Sequence, residues 1–193
     1  MLLSILPSIS LAFGESEETW SGNRTNQTID GGTHTITLSN LTIDSPGLGK
    51  SAIDITGNAD VTFILEGNNT LSGRPNHPAI WVQSGSSVTF EGTGTLNTSA
   101  GGTTPGFGAA GIGGGYGASS NFGNITINGG TIIARGSGGG AGIGGGYEVG
   151  SGTVTGNVTI NGGYVTAIGG SSGSTGGAGI GSGENANYGG TVT

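Results

Sequence analysis

Three segments of this chain are almost the same. "GAAGIGGGYGA" begins at Gly108, "GAGIGGGYEVG" at Gly140 and "GAGIGSGENA" at Gly177. Repetition at intervals of 20 to 50 residues constrains a fold more than any local motif. Each unit is too small to bury its own apolar face, so it must stack on its neighbours. Three strand-like series recur in fixed order. The first is an isoleucine close behind an alanine: Ile53, Ile80, Ile112, Ile143 and Ile180, spaced by 27, 32, 31 and 37 residues. The second is apolar-Thr-apolar and begins at Val61, Val88, Ile125 and Val158, with "TVT" at the C-terminus. The third is marked by Leu71, Leu96, Ile132 and Val165.

Alternating apolar and polar residues between Gly/Asn/Ser turns form a strand pattern, not a helical one. Propeller blades or sandwich hairpins would satisfy it as well. Here, however, each strand carries the same residue type as its counterpart one repeat later, which is what stacking like on like requires. The expectation is an all-β, right-handed parallel β-helix (a solenoid) with three short strands per coil and about five coils. Paired backbones in such a stack lie ~4.8 Å apart. Val61, Val88, Ile125, Val158 and Val192 would form one inward ladder. Phe63, Phe90, Ile127 and Ile160 would form a second, and Leu71, Leu96, Ile132 and Val165 a third. A narrow solenoid needs few inward side chains, so 32% hydrophobic residues suffice. In "AGIGGG" the isoleucine plugs the core. The glycines serve a corner that needs positive φ, or leave a bare floor on which a ligand can lie.

Composition narrows function by exclusion. The net charge is −7, and Arg24, Lys50, Arg74 and Arg135, the only Lys or Arg residues, are scattered. Phosphate backbones need clustered Lys/Arg, so nucleic acid is not an expected partner. Cysteine is absent, which excludes disulfides and thiolate metal sites. "LLSILPSISLAF" followed by Gly14 reads as a signal peptide over residues 1–14 that lacks its basic start, or as an apolar segment capping the fold. It is too short to span a bilayer. Residues 15–27 are polar and read as a linker or first loop, and residues 28–193 as one β-helix domain. "NYGGTVT" stops inside the second strand of a repeat. That predicts a truncated last coil, which offers an open edge for end-to-end self-association.

The units "SAIDITGNADVTFILEGNNTLSG" (Ser51 to Gly73) and "PAIWVQSGSSVTFEGTGTLNTSAGG" (Pro78 to Gly102) resemble repeats of secreted bacterial carbohydrate-binding β-helix proteins, pectin- and polygalacturonate-binding members among them. "GNITINGGTIIARG" and "GNVTINGGYVTAIGG" are similar to repeats of large bacterial surface adhesins. The resemblance spans roughly Thr28 to Thr193. It implies a right-handed solenoid, secretion or display at the cell surface, and binding of a polysaccharide, such as an acidic plant or cell-wall glycan, in some members with calcium. The residues themselves point to no cofactor.

β-Helix proteins also include pectate lyases and polygalacturonases. Those activities need carboxylates clustered around calcium or facing a scissile bond. Asp30, Asp44, Asp54, Asp60, Glu66 and Glu91 occur singly, and none repeats at coil spacing. His34 and His77 have no Ser or Cys partner in view. No enzyme is expected. Trp81 is the strongest binding candidate: Ile80 and Val82 face inward, so Trp81 faces out, either open to a ligand or covered by a neighbouring loop such as the turn at residues 74–78. Its register mates are Asp54 on one side and Gly113, Gly144 and Gly181 on the other. An indole beside a carboxylate suits the apolar face and the hydroxyls of a sugar. Tyr116 and Tyr147 hold matching positions after "GIGGG" and would stack as a two-ring ladder, with Glu148 and Glu184 as flanking carboxylates. Thr62, Thr89, Thr126, Thr159 and Thr193 share one outward register. Such a row is compatible with ice binding, and threonine also favours strands for its own reasons. The rival of another class is a structural stalk or self-assembling surface subunit without a ligand.

Overall fold

The structure, a computed structural model, describes residues 10–12, 16–44, 49–102, 107–117, 120–148, 150, 152–173 and 175–193. The chain is all-β, and its named strands pair in parallel within curled sheets. One sheet runs β1 (Ser10–Ala12), β3 (Gln27–Asp30), β5 (Ile53–Thr56), β8 (Ile80–Val82), β11 (Ile112–Gly113), β14 (Ile143–Gly144), β18 (Ile180–Gly181). Each strand pairs with the one a repeat away. A second sheet centres on the long β4 (Thr33–Ile43). On one side of β4 lie β6 (Asp60–Glu66), β9 (Ser87–Gly92), β12 (Asn124–Ile127) and β16 (Val158–Ile160). Along the same edge of β4, further down its length, follow β7 (Asn68–Pro75), β10 (Thr95–Gly101), β13 (Thr131–Arg135) and β17 (Tyr164–Ile168). A parallel pair, β15 (Thr153–Val154) and β19 (Asn187–Tyr188), lies apart.

β4 feeds both arms because it bends. Asn40 takes a left-handed φ of 53°, which asparagine tolerates better than most residues. Its Oδ1 accepts the Asn68 N–H one repeat later at 3.1 Å. Thr33–Ser39 then pair with β6, and Thr42–Ile43 with β7.

Two of the three expected ladders are present. Val61, Val88, Ile125 and Val158 are consecutive partners, and Val192 bridges to Val158. Phe63, Phe90, Ile127 and Ile160 follow in the same way, with the Phe63 and Phe90 rings 5.9 Å apart. The isoleucine series also stacks from Ile53 to Ile180. The third ladder needs correction. Leu96, Ile132 and Val165 are partners, but Leu71 pairs with Thr98, and Leu96 with Asn69. Two polar residues therefore occupy inward positions, and both are buried. Asn69 is admitted because every one of its side-chain bonds goes to backbone. Its Oδ1 accepts the Leu41 N–H at 2.9 Å, and its Nδ2 donates to the carbonyls of Glu66 and Thr95 at 3.1 and 3.2 Å. One amide thus ties three successive tiers.

The stack is deeper than the isoleucine spacing predicts. The first sheet has seven strands. In β3 the position opposite Ile53 is Gln27, so that tier lacks the repeat's marker residue. Residues 15–27 are not a linker where they are described. β2 (Ser16–Asn23) pairs with β4 and buries Trp20 completely, 6.4 Å from the Phe63 ring. The Arg24 guanidinium lies 5.6 Å from that ring and 4.0 Å from the Glu18 carboxylate. Of the apolar N-terminal segment, Ser10–Ala12 pair with β3, and residues 1–9 and 13–14 lie outside the described residues.

The glycine strip is a demand of the backbone. Gly113, Gly144 and Gly181 share φ near +131°. A Cβ on Gly113 would sit 2.0 Å from the Gly144 carbonyl oxygen, and one on Gly144 equally close to that of Gly181. The strip is also buried, which corrects its reading as an open floor. The glycines that follow it are packed by the chain as well: the Ser120 carbonyl lies against Gly114, and Val154 against Gly145.

Two substitutions test this packing by chemical denaturation. Asn69→Ala strands one N–H and two carbonyls in the interior and is expected to cost about 2–4 kcal/mol. Gly144→Ala combines a forbidden φ with a backbone clash and is expected to cost at least about 3 kcal/mol. An exposed control, Asn161→Ala, should stay within about 0.5 kcal/mol of the parent.

Candidate functional site

Trp81 sits between Asp54 and Gly113 in its register, with Ile80 and Val82 buried on either side. The indole is half-buried rather than open to solvent, and its Nε1 is buried with no hydrogen-bond partner. It lines a cleft of about 260 Å³ with Asn76, His77, Pro78, Gly115 and Tyr116. The turn after β7 builds one wall. Asn76 takes φ 70°, the His77 N–H donates to the Arg74 carbonyl at 2.8 Å, and the Asn76 N–H to that of Gly101 at 3.1 Å. Gly73 is required beneath this turn, since a Cβ there would lie 2.3 Å from the His77 carbonyl oxygen. The opposite wall is Tyr116, whose N–H reaches the Asn76 carbonyl at 3.3 Å.

Behind the cleft, Asp54 is only 8% exposed. Burial pushes its carboxyl above the ordinary carboxylate range, against the opposing pull of the Ser51 hydroxyl, Lys50 and His77. Burial likewise lowers the His77 imidazole, while Asp54 raises it and Lys50 lowers it further. Desolvation wins at both groups and shifts each toward its neutral form.

Tyr116 and Tyr147 stack as expected, with centroids 5.7 Å apart and planes 20° apart. Phe107 meets the Tyr116 ring edge-on at 5.2 Å and is 43% exposed. Tyr147 is pinned by the Asn185 amide, which donates to its hydroxyl at 2.8 Å. Glu184 and Glu148 belong to neighbouring loops joined by the Glu148 N–H to Glu184 carbonyl bond at 3.1 Å. Their carboxylates engage the chain's own hydroxyls. Glu184 accepts from Ser172, and from Thr175 at 2.6 Å; Glu148 accepts from Ser120. The Ser172 bond and then the Thr175 bond hold the Glu184 carboxyl below its usual range. These acids fasten loops, and neither is among the residues that line the cleft.

The structure therefore gathers Trp81, Tyr116 and, just behind them, Asp54. It sets Tyr147 at the back of Tyr116 and leaves Glu148 and Glu184 aside. The cleft's other wall, Asn76, His77 and Pro78, belongs to the turn-forming "RPNHP", the 74–78 turn that the sequence offered as a cover for Trp81. Sequence reasoning missed Phe107, which sits in a segment with no counterpart in other repeats.

The outward threonines Thr62, Thr89, Thr126 and Thr159 do form one row, extended at its start by Thr35. The flanking columns are mixed: Asp60, Ser87 and Asn124 on one side, Ile64 and Glu91 on the other. Asparagine amides bond from tier to tier beside it, Asn157 to Asn124 at 3.0 Å and Asn161 to Asn128 at 2.9 Å. Among the described residues, no three His, Asp or Glu side chains converge to hold a metal ion, and no helix is long and apolar enough to cross a membrane.

A buried carboxyl with a raised pKa binds its proton more tightly folded than unfolded. Its stabilising contribution is present at acid pH. It is lost as pH rises from the ordinary carboxylate range through the raised folded value. Asp54→Asn removes that loss. Thermal melts from pH 3 to 8 should coincide for parent and variant at pH 3, with the variant melting higher at pH 7. A variant melting lower at pH 7 would contradict the dominance of burial.

In comparisons with known proteins, no family model matches the chain, and neither does a curated protein or a solved structure, so function rests on the cleft itself.

Proposed function

We propose that this chain is a right-handed parallel β-helix solenoid from a secreted or cell-surface bacterial protein, and that it binds a polysaccharide without catalysis, as a carbohydrate-binding or adhesin module. The order of parallel strands supports the solenoid, because each strand pairs with its counterpart one repeat on. The right hand follows from the near-universal handedness of parallel β-crossovers. Secretion and surface display rest on the resemblance of the repeats.

One observation carries the binding reading: two aromatic walls, Trp81 and Tyr116, facing a cleft edged by Asn76 and His77. Pyranose rings have apolar C–H faces and a rim of hydroxyls. An aromatic face takes the first, and amide and imidazole groups take the second. Absence of catalysis is argued from the acids. Glycoside hydrolysis needs two carboxyls about 5 to 9.5 Å apart across the bond. Asp54 is the acid that the cleft has behind it, and Glu148 and Glu184 are engaged elsewhere. The stalk reading is favoured by the threonine row and the asparagine ladders, which rigidify a surface without shaping a pocket.

Affinity electrophoresis against neutral and acidic polysaccharides, with and without calcium, tests the proposal. At least one glycan should retard the parent chain, and Trp81→Ala should abolish the retardation while still melting cooperatively. A folded parent that no glycan retards would move the assignment to the stalk.

A further inference from the structure

The aromatic residues near the cleft could serve a ligand in two ways. They could form a strip across successive tiers, along which an extended glycan lies. Or they could form one slot. The ring geometry separates these. Tyr147 covers one face of Tyr116, at 5.7 Å and 20°. Phe107 closes on Tyr116 edge-on at 5.2 Å and also lies 6.4 Å from Tyr147. A ring stacked on its neighbour has no face left on that side for a sugar. Tyr147 is closed in further by Gly139, whose Cβ position lies 2.7 Å from its ring, and its hydroxyl is taken by Asn185. Tyr116 still lines the cleft together with Trp81, Gly115, Asn76 and His77, so the ring surface it has left is turned to the cleft and not along the tiers.

The volume agrees. About 260 Å³ lies just under the ~300 Å³ at which drug-sized pockets begin. It has room for one six-membered sugar ring. The next tiers offer no aromatic continuation, because the positions beyond Trp81 are the buried glycines Gly113, Gly144 and Gly181.

We infer that the cleft recognises a single sugar ring, held between Trp81 and Tyr116, and so takes the terminal or branch residue of a glycan rather than the interior of a chain. This rests on the glycan-binding reading above and narrows its ligand class. An interior residue must leave the site at two opposite positions. A terminal or branch residue leaves at one, which suits a slot closed behind by Tyr147 and Phe107.

Isothermal titration calorimetry on the full chain tests it. The probes are glucose, galactose, mannose, xylose, N-acetylglucosamine and galacturonic acid, and their linear di- to hexasaccharides. The expected result is that a monosaccharide binds, and that its hexasaccharide, per mole of chain ends, binds within about threefold of it. Trp81→Ala should weaken this by about tenfold or more, equivalent to about 1.4 kcal/mol, and Tyr147→Ala by less than about threefold. Affinity that climbs tenfold or more from monomer to hexamer would overturn the single-ring inference and leave glycan binding standing. So would equal losses in Trp81→Ala and Tyr147→Ala. Failure of every saccharide, together with failure to be retarded by any polysaccharide, would overturn both.

Discussion

Everything in this protein depends on backbone hydrogen bonds between strands about thirty residues apart in sequence. Parallel pairing carries Val61 onto Val88 and Phe63 onto Phe90, and it continues without change of register to Ile160. Once that register is set, side chains have little freedom. Inward positions are mostly apolar, as in the isoleucine series, and a large polar side chain among them, Asn69, bonds three tiers at once. A position where carbonyls approach within contact of a would-be Cβ must be glycine, as at Gly113 and Gly144. No single tier buries enough surface to be stable alone, so the stack stands or falls as a cooperative unit.

The candidate site arises where repetition is broken. In the row Asp54, Trp81, Gly113, Gly144, Gly181, one position carries an indole in place of the small or polar residues around it. Beside it the turn through Asn76 and His77 folds back, while Tyr116 rises from the next tier. A regular stack presents flat faces, which bind poorly. A local departure makes a concavity, and here that concavity has aromatic walls with a buried carboxyl behind them.

Much of the architecture was legible because like residues stack on like. The valine, phenylalanine and isoleucine rows could be read from spacing alone. Leu71 could not, since the pairing of β7 with β10 is offset by two residues and sets Asn69 beneath Leu96. β2 was hidden by its polar composition, because a strand at the start of the stack shows few apolar residues besides Trp20. The outward aim of Trp81 followed from alternation. Its partial burial was the alternative reading, a cover by the turn at residues 74–78, and Asn76, His77 and Pro78 of that turn do line the cleft with it. The glycine strip was recognised as a corner, but the Ser120 and Val154 segments packed on the glycines after it are ones that spacing arguments do not reach.

The register itself is the claim on which the account turns, and the absence of cysteine makes it directly testable. Thr89 and Thr126 are outward partners on adjacent strands. Parallel neighbours lie about 4.8 Å apart, within the span a disulfide bridges. The double variant Thr89→Cys/Thr126→Cys should therefore form an intramolecular disulfide under mild oxidation of the folded protein. A pair offset by two residues, Thr89→Cys/Asn124→Cys, should form it much more slowly. Failure of the in-register pair to cross-link, or equal cross-linking of both pairs, would contradict the stacking from which the core, the glycine strip and the cleft all follow.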